Sequence, residues 1–163
     1  MSVAIRDVLP SDADAICAIY NPHVRETIVT FEEVAITAEE MRGRIANISA
    51  ILPWLVAERD GEILGYAYAG RFFDRSGYRF CAMSTIYVHD KAQRSGIGFS
   101  LYANLLARLR EKSIRSAVGI IALPNPASVA LHEKCGFRKV GHLADAGFKF
   151  GRWIDVGYWQ VLL

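Results

Sequence analysis

Two hydrophobic periods alternate along this chain and divide it into strands and helices. Val3–Leu9 predicts a first strand. Ser11 and Asp14 have the spacing of a capping box. The apolar stripe of Ile16, Ile19 and Tyr20 then predicts a helix, with Pro22 near its end. Val24–Ile36 is irregular and predicts a loop that could lie over a site. Thr37 and Glu40 repeat the capping-box spacing, and Met41, Ile45 and Ile48 recur at helical intervals.

Strands dominate next. Trp54–Arg59 and Glu62–Gly70 flank Asp60-Gly61, a dipeptide that favours a tight hairpin turn. Arg71–Gly77 is polar and predicts a loop, and Tyr78–Val88 predicts a long strand rich in β-formers. After His89–Gly98 comes an amphipathic helix. Leu101, Leu105 and Leu109, beside Tyr102 and Leu106, make its apolar stripe, while Asn104, Arg108 and Glu111 face out. Ser116–Leu123 predicts a buried strand. Asn125 as N-cap and Pro126 as first residue open another helix, which Gly136 stops. Phe137–Phe148 and Asp155–Leu162 predict a final strand pair joined around Gly151-Arg152.

The order is mixed α and β, without repeats or linkers. A chain of 163 residues suits a single domain over residues 1–163, whose core needs no disulfide or structural metal. Its net charge of +2 argues against a protein that coats nucleic acid, but leaves room for a local positive pocket. Cys17, Cys81 and Cys135 are odd in number and far apart. They predict neither a disulfide framework nor a zinc site, and they fit a reducing cytoplasm. Early charges at Arg6, Asp7, Asp12 and Asp14 are unlike a signal peptide. No window approaches the ~20 apolar residues of a membrane span.

The chemically informative feature is strand, glycine loop, helix: Gln93-Arg94-Ser95-Gly96-Ile97-Gly98 follows Tyr87-Val88 and precedes the Leu101 helix. Free amides at a helix start, backed by the helix dipole, attract a phosphate, and glycines let it come close. Phe99 stands where the Walker pattern needs Lys, and a dinucleotide fingerprint would carry a third glycine in an opening βαβ unit. A pyrophosphate loop for coenzyme A remains.

This loop, then a strand, then Asn125 and a helix ending Leu131-His132-Glu133-Lys134-Cys135-Gly136-Phe137, resembles the GNAT acyltransferase superfamily. Thr30-Phe31, Pro53-Trp54-Leu55-Val56-Ala57-Glu58, Ser84-Thr85-Ile86-Tyr87-Val88 and the run from Gly147 to Val156 are similar to its phosphinothricin N-acetyltransferase branch. The resemblance implies an α/β (α+β in some schemes) GNAT fold. Its mixed, twisted sheet of about seven strands would split between the fourth and fifth, with about four flanking helices. It further implies acetyl-CoA as co-substrate, no metal, and a small-molecule amine acceptor. The expected acceptor is the α-amine of a phosphinothricin, methionine sulfoximine or methionine sulfone type of molecule, and transfer is direct within a ternary complex. A homodimer is expected, with no nucleic-acid or membrane partner.

By the same resemblance, backbone groups of Ile86, Tyr87 and Val88 would pair with the pantetheine arm. Amides of Arg94, Ser95, Gly96, Ile97 and Gly98 would hold the pyrophosphate, and Asn125 and Ser128 would contact the pantetheine side. Phe31, Arg75 and Tyr78 match acceptor-binding positions, Arg75 suiting a carboxylate or phosphinate. His132 stands where many members of the superfamily carry the tyrosine that protonates the leaving thiolate. His23, His89 and His142 have weaker cases. One departure matters: Met83 occupies the position of the family's glutamate base, and methionine cannot take a proton. Two rival readings therefore stand beside the first. One is an acetyltransferase for protein N-termini or other amines; the other is a coenzyme A-binding module with weakened catalysis.

Overall fold

The computed structural model describes residues 2–163. Seven strands form one mixed sheet: β1 (Ala4–Asp7), β2 (Trp54–Arg59), β3 (Glu62–Arg71), β4 (Cys81–Val88), β5 (Ser116–Ala122), β6 (Arg138–Lys149) and β7 (Arg152–Leu162). Their order is β1-β2-β3-β4-β5-β7-β6, and β4 with β5 is the parallel pair. Four helices cover the sheet: α1 (Ala13–Glu26), α2 (Ala38–Ser49), α3 (Ile97–Glu111) and α4 (Pro126–Lys134). None of them is long and apolar enough to cross a membrane.

Alternation along the strands divides the core in two. Leu55, Ala57, Leu64, Ala67 and Ala82 face α3, whose Leu101, Tyr102, Leu105 and Leu109 are fully buried. Fully burying a leucine is worth roughly 1.5–3 kcal/mol, so this stripe anchors the helix. On the other face, Trp54, Val56 and Tyr66 meet Ile16, Tyr20 and Val24 of α1 and Met41 and Ile45 of α2.

Local signals hold where chemistry is local. Thr37 Oγ1 accepts the Glu40 amide at 3.2 Å, while the Glu40 carboxylate takes the Thr37 amide at 2.8 Å. Asp60 and Gly61 turn the β2–β3 hairpin with φ of +55° and +79°. Asn125 Oδ1 accepts the Ser128 amide at 3.1 Å, and Gly136, φ +90°, follows the end of α4.

Three expectations are corrected. Ser11 does not cap α1, because Pro10–Asp12 forms a 3-10 turn first and Asp12 carries the polar contacts. The Asp12 carboxylate accepts the Leu9 amide at 2.7 Å and the Arg6 guanidinium at 2.8 and 3.0 Å. The end of the first helix lies later than Val24: α1 runs through Pro22 to Glu26. Pro22 and Ala18, whose carbonyl loses its partner, are both exposed, so the lost bond does not strand a buried group. Finally, β4 starts at Cys81 rather than Tyr78, because the Tyr78 and Arg79 amides turn back to Arg75 O and Ser76 O.

Burial alone would push the Asp12 carboxyl up, but Arg6 and the Leu9 amide outweigh it and hold it below the ordinary value. Its contribution is therefore complete above the unfolded carboxyl value and fades as pH falls through the native one. Asp12→Asn should cost about 1–3 kcal/mol at pH 7 by denaturant titration. The gap from wild type should narrow in acid below about pH 4.

Candidate functional site

The site begins where a ladder stops. β4 pairs with β5 from Cys81↔Ser116 to Ser84↔Gly119 and no further. Beyond Ser84, β4 stays on β3 as far as Val88↔Gly65, while β5 stays on β7 as far as Ala122↔Val156. Each strand keeps its antiparallel partner, and the two diverge from each other. A cleft of about 840 Å³ fills the wedge. Thr85, Ile86, Tyr87 and Val88 line one wall, with a strand edge that has no neighbour in the sheet. Ile120, Ile121 and Ala122 line the other, with Asn125, Ser128 and His132 above them.

The glycine loop closes one end. Gly96 caps α3 in the left-handed region at φ +86°, and Arg94 also has positive φ, +61°. No side chain caps the helix and its first turn holds no acidic residue, so its amides remain available. Arg94 and Lys134 line the cleft beside them. Both are cations, and both add to the positive end of the α3 dipole. α3 and α4 come close here: a Cβ on Gly98 would lie 3.1 Å from Leu131 Cδ2.

A buried polar chain lies at the apex. His132 is 3% exposed. Its Nδ1 is 2.7 Å from the Ser128 carbonyl, which can only accept, so Nδ1 carries the proton. Nε2 of the neutral ring then accepts from the Tyr102 hydroxyl, 2.8 Å away. Ser84 Oγ lies 3.3 Å from that hydroxyl. Burial lowers the His132 pKa, with the Ser128 carbonyl partly opposing, and burial raises that of Tyr102. The ring sits directly on β5, since a Cβ on Gly119 would fall 2.4 Å from Nε2. Gly119 is thus the residue that admits the imidazole at the point where the strands part.

Of the residues singled out from the sequence, Ile86, Tyr87, Val88, Arg94, Gly96, Gly98, Asn125, Ser128 and His132 line this one cleft. Ser95 and Ile97 do not. Ser95 Oγ donates to Ala92 O at 2.5 Å, and Ile97, the first residue of α3, is buried in the core. Met83 lies opposite Gly70 on β3 and Val118 on β5, outside the cleft. It alternates with Ser84, so it faces the α1–α2 side. Phe31 also lies outside, with its ring against Gly147 of β6. Arg75 is exposed at the start of the Ser76–Tyr78 turn, and Tyr78 packs edge-on against Phe73 at 5.2 Å. His23 lines the cleft against Tyr87, while His142 is bound to Asp155 on the surface at 2.7 Å. His89 accepts the Lys91 amide. Sequence reasoning gave Tyr102 no role beyond its place in an apolar stripe. Its only signal was a hydroxyl among leucines, which needs a buried partner.

The family model of the acetyltransferase (GNAT) domain matches residues 5–157. The chain is 45% identical over 153 residues to a phosphinothricin N-acetyltransferase of Alcaligenes faecalis, covering 93% of this chain and 78% of the relative. It is 34% identical over 165 residues to an L-methionine sulfoximine/L-methionine sulfone acetyltransferase of Pseudomonas paraeruginosa, covering 100% and 96%. A GNAT superfamily phosphinothricin acetyltransferase of Sinorhizobium meliloti, solved in complex with AcCoA, superposes with a TM-score of 0.95 at 34% identity, covering 100% of this chain and 89% of that one. The split sheet, the amide-rimmed loop and these likenesses together place this chain in the GNAT family of N-acetyltransferases.

Proposed function

We propose that the chain moves the acetyl group of acetyl-CoA directly to the α-amine of a small amino-acid-like acceptor of the phosphinothricin, methionine sulfoximine or methionine sulfone type. The carrying observation is the wedge between β4 and β5, with uncapped α3 amides at one end and the His132–Tyr102 pair at its apex. The residues fit the co-substrate. The amides of Arg94–Gly98 with Arg94 and Lys134 suit a pyrophosphate. The open edge of Ile86, Tyr87 and Val88 suits the amides of a pantetheine arm, with Asn125 and Ser128 across from it. The relatives' names support the acceptor class. Arg75 and Tyr78 would bind the acceptor's acidic group, and Phe31 would wall its side chain. The exposed aromatics Phe148, Phe150 and Trp153 on the β6–β7 hairpin suit the face of a homodimer, and we place the enzyme in the cytoplasm.

The proton path follows from the buried chain. An ammonium first gives one proton to solvent. The neutral amine attacks the acetyl carbonyl carbon, the C–N bond forms and the C–S bond breaks. The nitrogen's surplus proton must leave and the departing sulfur must gain one. Met83 can do neither. Neutral His132 offers Nε2 only as an acceptor, so it cannot open as the donor. We assign the transfer to the pair: Tyr102 passes its proton to His132 as it takes one from the nitrogen, and the pair then returns a proton to sulfur.

Thiol release should be measured from acetyl-CoA with phosphinothricin, methionine sulfone, methionine sulfoximine, ordinary amino acids and a short peptide. Turnover is expected on the small amino acids. Met83→Glu should raise it by about tenfold or more, with acetyl-CoA affinity little changed. Silence of the natural chain, with activity only in the glutamate variant, would instead leave a coenzyme-binding module. Preference for the peptide would overturn the acceptor assignment.

Tyr102→Phe should lower kcat by about 100-fold. His132 must be neutral to accept, so the acidic limb of the rate profile should lie below 6.5, the ordinary histidine value. The Tyr102 hydroxyl favours the neutral ring, so its loss should move that limb upward. An unmoved limb in Tyr102→Phe would exclude the pair as the titrating unit.

A further inference from the structure

Lys149 ends β6 and is 1% exposed, yet no ion pair among the described residues includes it. An ammonium has three donors, and here each has a backbone carbonyl: Thr27 O and Thr30 O at 2.8 Å and His23 O at 3.3 Å. A buried charge is costly unless its donors are matched, and an apolar side chain in its place would strip Thr27 O and Thr30 O of this donor, while His23 O would keep the Thr27 amide and hydroxyl. All three carbonyls belong to the last turn of α1 and the segment after it.

That segment leads straight to Phe31. The rest of the connection to α2 is held by side chains of the two helices. Asn21 holds Ile36 through two bonds of 2.9 Å, and Arg44 of α2 holds Glu32 at 2.6 and 3.0 Å. Tyr20 of α1 reaches the Thr30 hydroxyl at 2.7 Å. The sheet's grip on the Thr27–Thr30 backbone is Lys149. Two residues back along β6, on the same face, is Gly147. The Phe31 ring lies so close to it that a Cβ there would fall 2.2 Å from Phe31 Cζ. One short stretch of β6 therefore holds the backbone of this segment and seats its aromatic ring.

We propose that Lys149 is a positioning residue for the amine acceptor, fixing the Thr27–Thr30 backbone so that Phe31 stands over Gly147 as a wall of the acceptor side. This rests on the reading of Phe31 given under Proposed function. Lys149 touches no reacting atom; it acts through Phe31.

The test is steady-state kinetics of the full chain with methionine sulfone and acetyl-CoA, alongside titration of acetyl-CoA binding and thermal melting. Lys149→Met should raise the acceptor KM about tenfold or more, and acetyl-CoA Kd should stay within about threefold. Gly147→Ala, which displaces the ring and leaves Lys149 intact, should give the same split. Adding Lys149→Met to Phe31→Ala should raise the acceptor KM no further than Phe31→Ala alone. A lowered melting temperature with the acceptor KM unchanged would make Lys149 purely structural and overturn the proposal. Equal weakening of both substrates would overturn it too. If Lys149→Met does not fold, an unchanged acceptor KM in Gly147→Ala has the same consequence. Wild-type silence on methionine sulfone, with acetyl-CoA still bound, would overturn the acceptor reading first and this proposal with it.

Discussion

The site depends on one constraint in the sheet: β4 and β5 share only four register positions. Both strands are longer than that, and each prefers the antiparallel partner on its other side. Parallel pairs are slightly weaker per residue than antiparallel ones, so when curvature must be relieved the β4–β5 ladder is the one to open. An opened ladder exposes backbone donors and acceptors that a soluble sheet normally pairs or hides. Here that edge forms the wall of a cleft, with the amides of α3 at its mouth. Gly119 is the last β5 residue paired with β4, and its missing side chain leaves the space that the His132 ring occupies.

Polar groups at the apex are fully committed to each other. Ser84, Tyr102, His132 and the Ser128 carbonyl form one chain in a buried setting, where an unpaired member would be costly. That arrangement sets the tautomer of His132, with the proton on Nδ1. A ring held neutral, with its free lone pair on a tyrosine, begins as an acceptor.

The other side of β4 solves a different problem. The connection between α1 and α2 has no regular structure, so its carbonyls must find donors elsewhere. Lys149, from the end of β6, supplies Thr27 O and Thr30 O and reaches His23 O in the last turn of α1 as well. Each of its three donors meets a carbonyl, which explains an ammonium buried without a carboxylate at contact distance. The loop is consequently held from its two helices and from the sheet.

Much of this was legible in the chain itself. Thr37 with Glu40, Asn125 with Pro126, Asp60-Gly61 and the Leu101–Leu105–Leu109 stripe are readable because each acts within a few residues of itself, as caps, turns and helix faces do. The glycine loop Gln93–Gly98, which closes one end of the cleft, belongs to the same class. Local signals erred where other contacts intervened: Asp12, not Ser11, carries the polar contacts, to Arg6 as well as to the Leu9 amide, and Pro22 is tolerated because its face is exposed. The pairing of Tyr102 with His132 joins residues 30 positions apart, and Lys149 reaches carbonyls 119 to 126 positions away. No spacing rule encodes such contacts. The sequence by itself determined most of the elements, the glycine loop and the family. Which proton His132 can hold, and what Lys149 grips, were decided only when the tertiary fold brought distant donors and acceptors into dry contact.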